Sequence, residues 1–282
     1  MKTCDLHTHS VFSDGADTPS KIIELAVKAG LGAVALCDHN TADGLKEFFE
    51  AAKDKNIQAI AGGEFSVDYN GTELHLLGLF IMQDKFAIVS ELMKDVADKK
   101  RDSNIDLINS LYKAGYDISF DEASKATPNG KVNRLHIANI LIQKGYVASK
   151  AEAFETLLSK TGGYYKEPER LTVWQMIDFL KSIDAVPVLA HPFLSLDELQ
   201  LEKFLPAAKE RGLAGMECFY SEYSNDTTKK SLALADRFDL KYSGGSDYHG
   251  KNKPYIQLGT GCGNLCIPYD LAYNLNPDYF AD

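Results

Sequence analysis

Long apolar runs are missing from this chain, and none approaches the roughly 20 residues that a membrane-crossing helix needs. The first residues, MKTCDLHTHS, hold neither a basic segment followed by an apolar one nor a small-residue cleavage site. No signal peptide is expected, and a cytoplasmic location follows. Basic residues are outnumbered, 30 Lys and Arg against 40 Asp and Glu, for a formal charge of −10. That balance excludes the broad basic footprint of a duplex DNA binder. It leaves room for a small phosphorylated substrate, because bound cations and a few local lysines reverse the sign inside one cleft. Cysteine is sparse and odd in number, five in 282 residues, which excludes a disulfide-framed scaffold. Cys4, Cys37 and Cys218 fall in or beside apolar, strand-like runs, where buried inert thiols are expected. Cys262 and Cys266 form one Cys-x3-Cys without a second pair, a weak zinc signal.

What is present is the composition of a globular chain, 45% hydrophobic and 25% charged, long enough to bury a core without staples. Short apolar runs alternate with helical periodicity. CDL, GAVALC (32–37), QAIAG (58–62), LHLLGLF (74–80), AVPVLAH (185–191), AGMEC (214–218) and KYSGG (241–245) read as buried strands. Between the first two, Ile22, Ile23, Ala26 and Val27 recur at helical spacing, and Gly30 is a helix stop. Strand–helix–strand repetition predicts parallel pairing with helices outside, hence an α/β barrel or open sheet. Seven strand candidates fit an incomplete or distorted barrel. From Asp84 to Leu171 the rhythm breaks into helices and loops with no clear strand. The domain is therefore read as a barrel over 1–282, interrupted at 99–171 by a helical insert expected to serve as a lid.

The titratable residues are not scattered. His7 and His9 alternate on one strand and so share a face. Asp14 follows in the next loop, Asp38 and His39 end the second strand, Glu64 ends the third, and His75 lies on the fourth. His191 closes AVPVLAH, and Asp247 and His249 alternate after the last strand. Six of the seven histidines thus meet four carboxylates at strand carboxyl ends, the face where barrel active sites form. So many ionisable groups converging without a cation would carry a heavy desolvation and repulsion cost. Imidazole and carboxylate without thiolate suit Mn2+, Zn2+ or Fe2+, and the number of donors predicts two or three ions. Such a centre suits hydrolysis, since it generates hydroxide near neutral pH and stabilises both oxygens of an in-line displacement.

The motifs DLHTHSVFSDG, ALCDHNT, GGEFS, LHLLG, LAHP and GGSDYHG resemble, in order, those of the polymerase and histidinol phosphatase (PHP) superfamily. The resemblance implies a distorted, TIM-like (βα)7 barrel with a trinuclear metal centre. It implies His7, His9, Glu64 and Asp247 around one ion, and Glu64 bridging to a second held by His75 and His191. A third would be held by Asp14, His39 and His249. Metal-activated water, His191 and Asp247 are the candidates to protonate the leaving group, with Asp38 orienting a ligand histidine. Within the superfamily the chain is most similar to stand-alone phosphoesterases acting on 3′,5′-bisphosphate nucleotides or RNA 5′ ends. There Arg134 and His136, in Asn-Arg-Leu-His-Ile-Ala, are implied to grip a substrate phosphate, a task that suits a guanidinium fork. Taken without the resemblance, the same two residues read as a cap or pair within a small helix. Relatives often place Gly-Arg after His-Pro, where this chain has Phe193-Leu194. Lys166, Arg170, Lys251 and Lys253 are the basic residues available to substitute. A phosphomonoester, a nucleotide first of all, is the expected substrate. A histidinol-phosphate-type phosphatase, an amidohydrolase-type hydrolase and a non-catalytic metal module are the alternatives.

Overall fold

The computed structural model describes residues 2–125 and 132–281, so part of the expected insert, 126–131, lies outside the described residues. The strands are β1 (Cys4–Thr8), β2 (Ala33–Leu36), β3 (Gln58–Tyr69), β4 (Thr72–Leu79), β5 (Val186–Leu189), β6 (Gly215–Tyr220) and β7 (Lys241–Gly245). They form one seven-stranded sheet in sequence order. The carboxyl ends of β1 and β7 are stitched by Asp247 N–H to His7 O and His9 N–H to Tyr248 O, both 2.9 Å. The result is a mostly parallel, nearly closed TIM-like barrel. Gly245 makes the seam possible: a Cβ there would lie 2.2 Å from the His7 Cβ.

The seven apolar runs each became a strand, but uniform parallel pairing did not hold. β3 pairs antiparallel with β4, and β4 antiparallel with β5. No helix separates β3 from β4. Asn70 and Gly71 join them, with φ of 52° and 85°, the left-handed pair that a tight hairpin turn needs and that Asn-Gly favours. Two site residues are relocated in consequence. Glu64 lies within β3, opposite Leu77, and His75 sits near the start of β4, opposite Ser66. Because β4 runs against its neighbours, its beginning reaches the same end of the barrel as the others' carboxyl ends.

Helices α1 (Pro19–Lys28) and α2 (Leu45–Ala52) follow β1 and β2. The Thr18 side chain caps α1, Pro19 opens it, and Gly30 at φ 72° stops it. Ile22, Ile23 and Ala26 are buried as their spacing predicts, whereas Val27 faces solvent at 42% exposure. Helix α3 (Phe86–Lys113) is followed by α4 (Phe120–Lys125), α5 (Arg134–Gln143), α6 (Lys150–Thr156), α7 (Val173–Ser182), α8 (Glu198–Arg211), α9 (Asn225–Arg237) and α10 (Asp270–Leu275). The chain divides into two compact units, Met1–Glu91 with Leu171–Asp282, and Leu92–Arg170. The first has its own core of Leu6, Ala35, Ile60, Leu77, Val188 and Ile267. The second is built on Leu107, Leu111, Ile137, Leu141 and Leu158.

Candidate metal centre

Glu64 is the hub of the site. It is 1% exposed, and its backbone extends the β2–β3 ladder past the end of β2, with Glu64 N–H to Asp38 O and Asn40 N–H to Glu64 O. That extension fixes His39 beside it. The Glu64 Oε2 atom lies 3.2 Å from His7 Nε2, 3.2 Å from His9 Nε2 and 3.1 Å from His39 Nδ1. Its Oε1 lies 2.7 Å from His75 Nδ1 and 2.9 Å from His191 Nε2. Yet among the described residues Glu64 Oε2 accepts no hydrogen bond, and His249 Nε2, 3.0 Å from Asp14 Oδ1, is equally without an aligned one. A buried carboxylate oxygen ringed by imidazole nitrogens, none donating to it, carries a large desolvation cost if the site stays bare. Lone pairs converging on shared space are what a cation satisfies, so the residues fit divalent metal.

Among the described residues, donor atoms within 4.8 Å of one another form three sets: His7, His9, Glu64 and Asp247; His9, Asp14, His39 and His249; and His39, Glu64 and His75. The first holds the four residues expected around one ion. The second adds His9 to the expected Asp14, His39 and His249, and the third puts His39 with Glu64 and His75, while His75 and His191 lie together on Glu64 Oε1. Asp247 divides its carboxylate. Oδ1 faces His9 at 3.1 Å, His249 at 3.5 Å and His7 at 3.7 Å. Oδ2 accepts from Tyr220 at 2.9 Å and from the Lys253 ammonium at 2.7 Å. His191 and Asp247 both have positive φ, 27° and 57°, in the region that disfavours side chains. Such strain, of order 1–3 kcal/mol each, concentrates where geometry serves function.

Electrostatics bind the cluster together. Burial alone would lower the pKa of His7, but Glu217 and Glu64 outweigh it and hold it well above the usual histidine range. His9 and His75 likewise resist burial and rise to about 9, the first through Asp247 and Glu64, the second through Glu64 and Glu73. His39 goes the other way, to about 4, because burial dominates and His9 and His75 add like charge. Burial would raise Glu64 and Asp247, but the surrounding imidazoles hold both carboxyls well below their usual range. Asp14 is lowered too, since His249 and His39 overcome its partial burial.

Several residues with structural leverage carried little signal in the sequence. Glu217, fully buried on β6, accepts from His7 Nδ1 at 3.0 Å and from the His191 N–H at 2.7 Å. Asp5 is as deeply buried but fully satisfied, by Ser246 N–H and Oγ, Gly259 N–H and His7 N–H. Asp38 holds the first loop through Ser10 N–H, Ser10 Oγ and Ser13 Oγ at 2.6–2.7 Å, and Ser13 Oγ in turn lies 3.5 Å from His9 Nδ1. In the Leu92–Arg170 unit, His136 closes a capping box with Asn133 at the start of α5. Arg134 donates to Leu158 O at 3.0 Å and stacks over Tyr165 at 4.2 Å. Lys166 is exposed, its carbonyl accepting from Ser103.

A family model for the PHP domain matches residues 5–167. A 5′-3′ exoribonuclease of Haemophilus influenzae is 30% identical over 251 residues, 88% of this chain and 90% of the relative. A 3′,5′-nucleoside bisphosphate phosphatase of Chromobacterium violaceum is 29% identical, over 92% of this chain and 91% of the relative. A solved structure from Bifidobacterium adolescentis, named for a metal-dependent phosphoesterase, superposes with a TM-score of 0.69 at 26% identity, over 97% of this chain and 95% of that one. With a hub of imidazoles on one buried carboxylate at the barrel's strand ends, the chain belongs to the PHP domain family and is a metal-dependent phosphoesterase.

Proposed function

We propose that the chain hydrolyses a phosphomonoester of a nucleotide, a 3′,5′-bisphosphate or a short RNA end, by in-line attack of water at phosphorus. The observation that carries this reading is the convergence of His7, His9 and His39 on Glu64 Oε2, a buried oxygen without a hydrogen bond. When bound to these residues, two or three divalent ions, Mn2+, Zn2+ or Fe2+ by the donor types, would supply positive charge for the phosphoryl oxygens and lower the pKa of the attacking water.

The protein's part is to hold donors and protons in place. His7, His9, Glu64 and Asp247 form one ligand set, and Glu64 with His75, His191 and His39 forms a second. Asp14, His39, His9 and His249 form the third. Glu217 fixes His7 with its Nδ1 proton turned away, leaving the Nε2 lone pair toward the site, and restrains His191 through its backbone. As the P–O ester bond breaks, the leaving oxygen takes up a proton; Asp247, ionised at rest, can deliver only the proton it first takes from the attacking water, and His191 is the other candidate. Asp38 keeps the first loop and Asp14 in register. Arg134, His136 and Lys166 are the insert's candidates for the second phosphate of a bisphosphate substrate. Two relatives that span nearly the whole chain, and whose names specify a nucleoside bisphosphate and RNA, support the nucleotide reading.

A phosphate-release screen of Mn2+-loaded enzyme across 3′,5′-bisphosphates, short RNAs, sugar phosphates and histidinol phosphate tests it. The highest kcat/KM is expected on a bisphosphate or RNA end. A preference for histidinol phosphate or a sugar phosphate would overturn the nucleotide assignment.

A further inference from the structure

We infer that Lys253 is a substrate-phosphate contact, a lysine that the barrel itself carries to the Asp247 side of the site to hold phosphoryl oxygens of the ester. The inference rests on the phosphomonoester reading above and adds a specificity-determining residue to it.

The loop after β7 is built to place this side chain. His249 leads into a single 3-10 turn, Gly250–Asn252, closed by Lys253 N–H to Gly250 O at 3.1 Å. The turn is tied to the first loop by Asn252 Nδ2 donating to Asp14 O at 2.8 Å. Gly250 is required there, with φ of 62° and Asp17 Oδ2 only 2.7 Å from where a Cβ would stand. Lys253 is thereby anchored at both ends of its short tether, while Lys251, two residues earlier, is exposed.

The ammonium lies 2.7 Å from Asp247 Oδ2, on a side chain 31% exposed. That oxygen already has a donor, since the buried Tyr220 hydroxyl reaches it at 2.9 Å. Satisfying Asp247 therefore does not demand a lysine. An ammonium has three N–H donors, and one contact to Oδ2 leaves two for a ligand. The opposite oxygen, Oδ1, faces His9 and His249, so one carboxylate separates the cation from the imidazole-lined space. A phosphate extending from that space around the Oδ2 side of Asp247 would meet the two remaining donors of Lys253. A compact ammonium suits this task, as a point charge with rotatable donors that follows the phosphoryl group as its geometry changes.

The test compares Lys253→Met and Lys253→Arg with the wild type, all metal-replete. It measures inorganic phosphate affinity by calorimetry, metal content by elemental analysis, and kcat and KM on an aryl phosphate. Lys253→Met is expected to keep its metal while phosphate Kd and aryl phosphate KM rise about 10- to 100-fold, the value of a hydrogen bond to a charged group. Lys253→Arg should recover most of that loss. Unchanged phosphate affinity in Lys253→Met would overturn the inference. So would loss of metal in step with activity, which would make Lys253 a positioning residue for Asp247. Phosphate binding is read without any nucleotide. A wild type that binds phosphate through Lys253 yet prefers a non-nucleotide ester would therefore sink the nucleotide reading and leave this one standing.

Discussion

The barrel unit and the inserted unit use their polar side chains in opposite ways. In the barrel, imidazoles crowd Glu64 and each other, and among the described residues Glu64 Oε2 and His249 Nε2 end without an aligned hydrogen bond. In the insert, Arg134 is occupied by a carbonyl and an aromatic face, and His136 by the cap of its own helix. The first pattern makes sense only with something added, because a folded chain rarely leaves buried acceptors bare. In the second, each named group already has a partner within its own unit. Unsatisfied polar capacity therefore marks the metal centre more firmly than residue type does. The role of the insert's basic residues has to be decided by experiment on substrates.

The largest effect that would break this contrast is at the hub. Glu64→Gln keeps the shape but removes the charge and half the acceptor capacity. Metal content should fall, and kcat with it, by on the order of a thousandfold, since metal-borne charge stabilisation is worth several kcal/mol. Full metal occupancy with near wild-type kcat would show that the orphaned oxygen has no functional meaning. Next in size is Glu217→Gln, which leaves every donor in place but loosens His7 and His191. Partners behind metal ligands typically contribute 10- to 100-fold in affinity or activity. Metal competition titration should register that drop, and no change would reduce Glu217 to a core acid like Asp5.

Much of this was legible in advance, for physical reasons. Most of the buried strands are apolar runs, so their positions could be read from hydrophobicity, with KYSGG the clear exception. Their direction could not, because a strand's apolar content carries no sign. The clue to the reversal was the Asn70-Gly71 pair, a local turn signal between two runs otherwise assumed to be linked by a helix. Histidines and acids at strand ends revealed the cluster, but not which share an ion. Those distances depend on side-chain reach across neighbouring strands. Glu217 was harder. It stands in AGMEC as a lone charge in an apolar strand, a real signal, but its partner His7 lies 210 residues away and no spacing links them. Lys253 was one of four basic candidates until the 3-10 turn placed its ammonium on Asp247.

A smaller and more selective effect is expected from the insert. Arg134→Met should lower kcat/KM on a 3′,5′-bisphosphate about 10- to 100-fold if the guanidinium holds the second phosphate, the range for a charge-assisted bond. An aryl monophosphate offers nothing for it to grip, so its kinetics should stay near wild type, and metal content should not move. Arg134→Lys should rescue partly, keeping the charge but losing the planar fork. A parallel fall on both substrates would mean that the stack on Tyr165 and the bond to Leu158 are the whole role of Arg134.

The smallest effect separates scaffold from function within α5. Asn133 accepts from the His136 N–H at 3.0 Å and donates its own N–H to His136 Nδ1 at 3.2 Å, so it both caps the helix and fixes the imidazole. Asn133→Ala removes the side-chain half of that box. Loss of such a cap typically costs about 1 kcal/mol, roughly a fivefold shift in a local opening equilibrium. Amides of Arg134–Gln143 should then exchange about fivefold faster in hydrogen-exchange measurements, while the barrel strands keep their protection. Activity on an aryl phosphate should be untouched, because no residue of the metal centre is involved. On a bisphosphate the outcome is diagnostic. If His136 takes part in phosphate binding, loosening the first turn that positions its ring should raise KM several-fold at constant kcat. If KM is unchanged while the helix opens faster, His136 is a capping residue and nothing more.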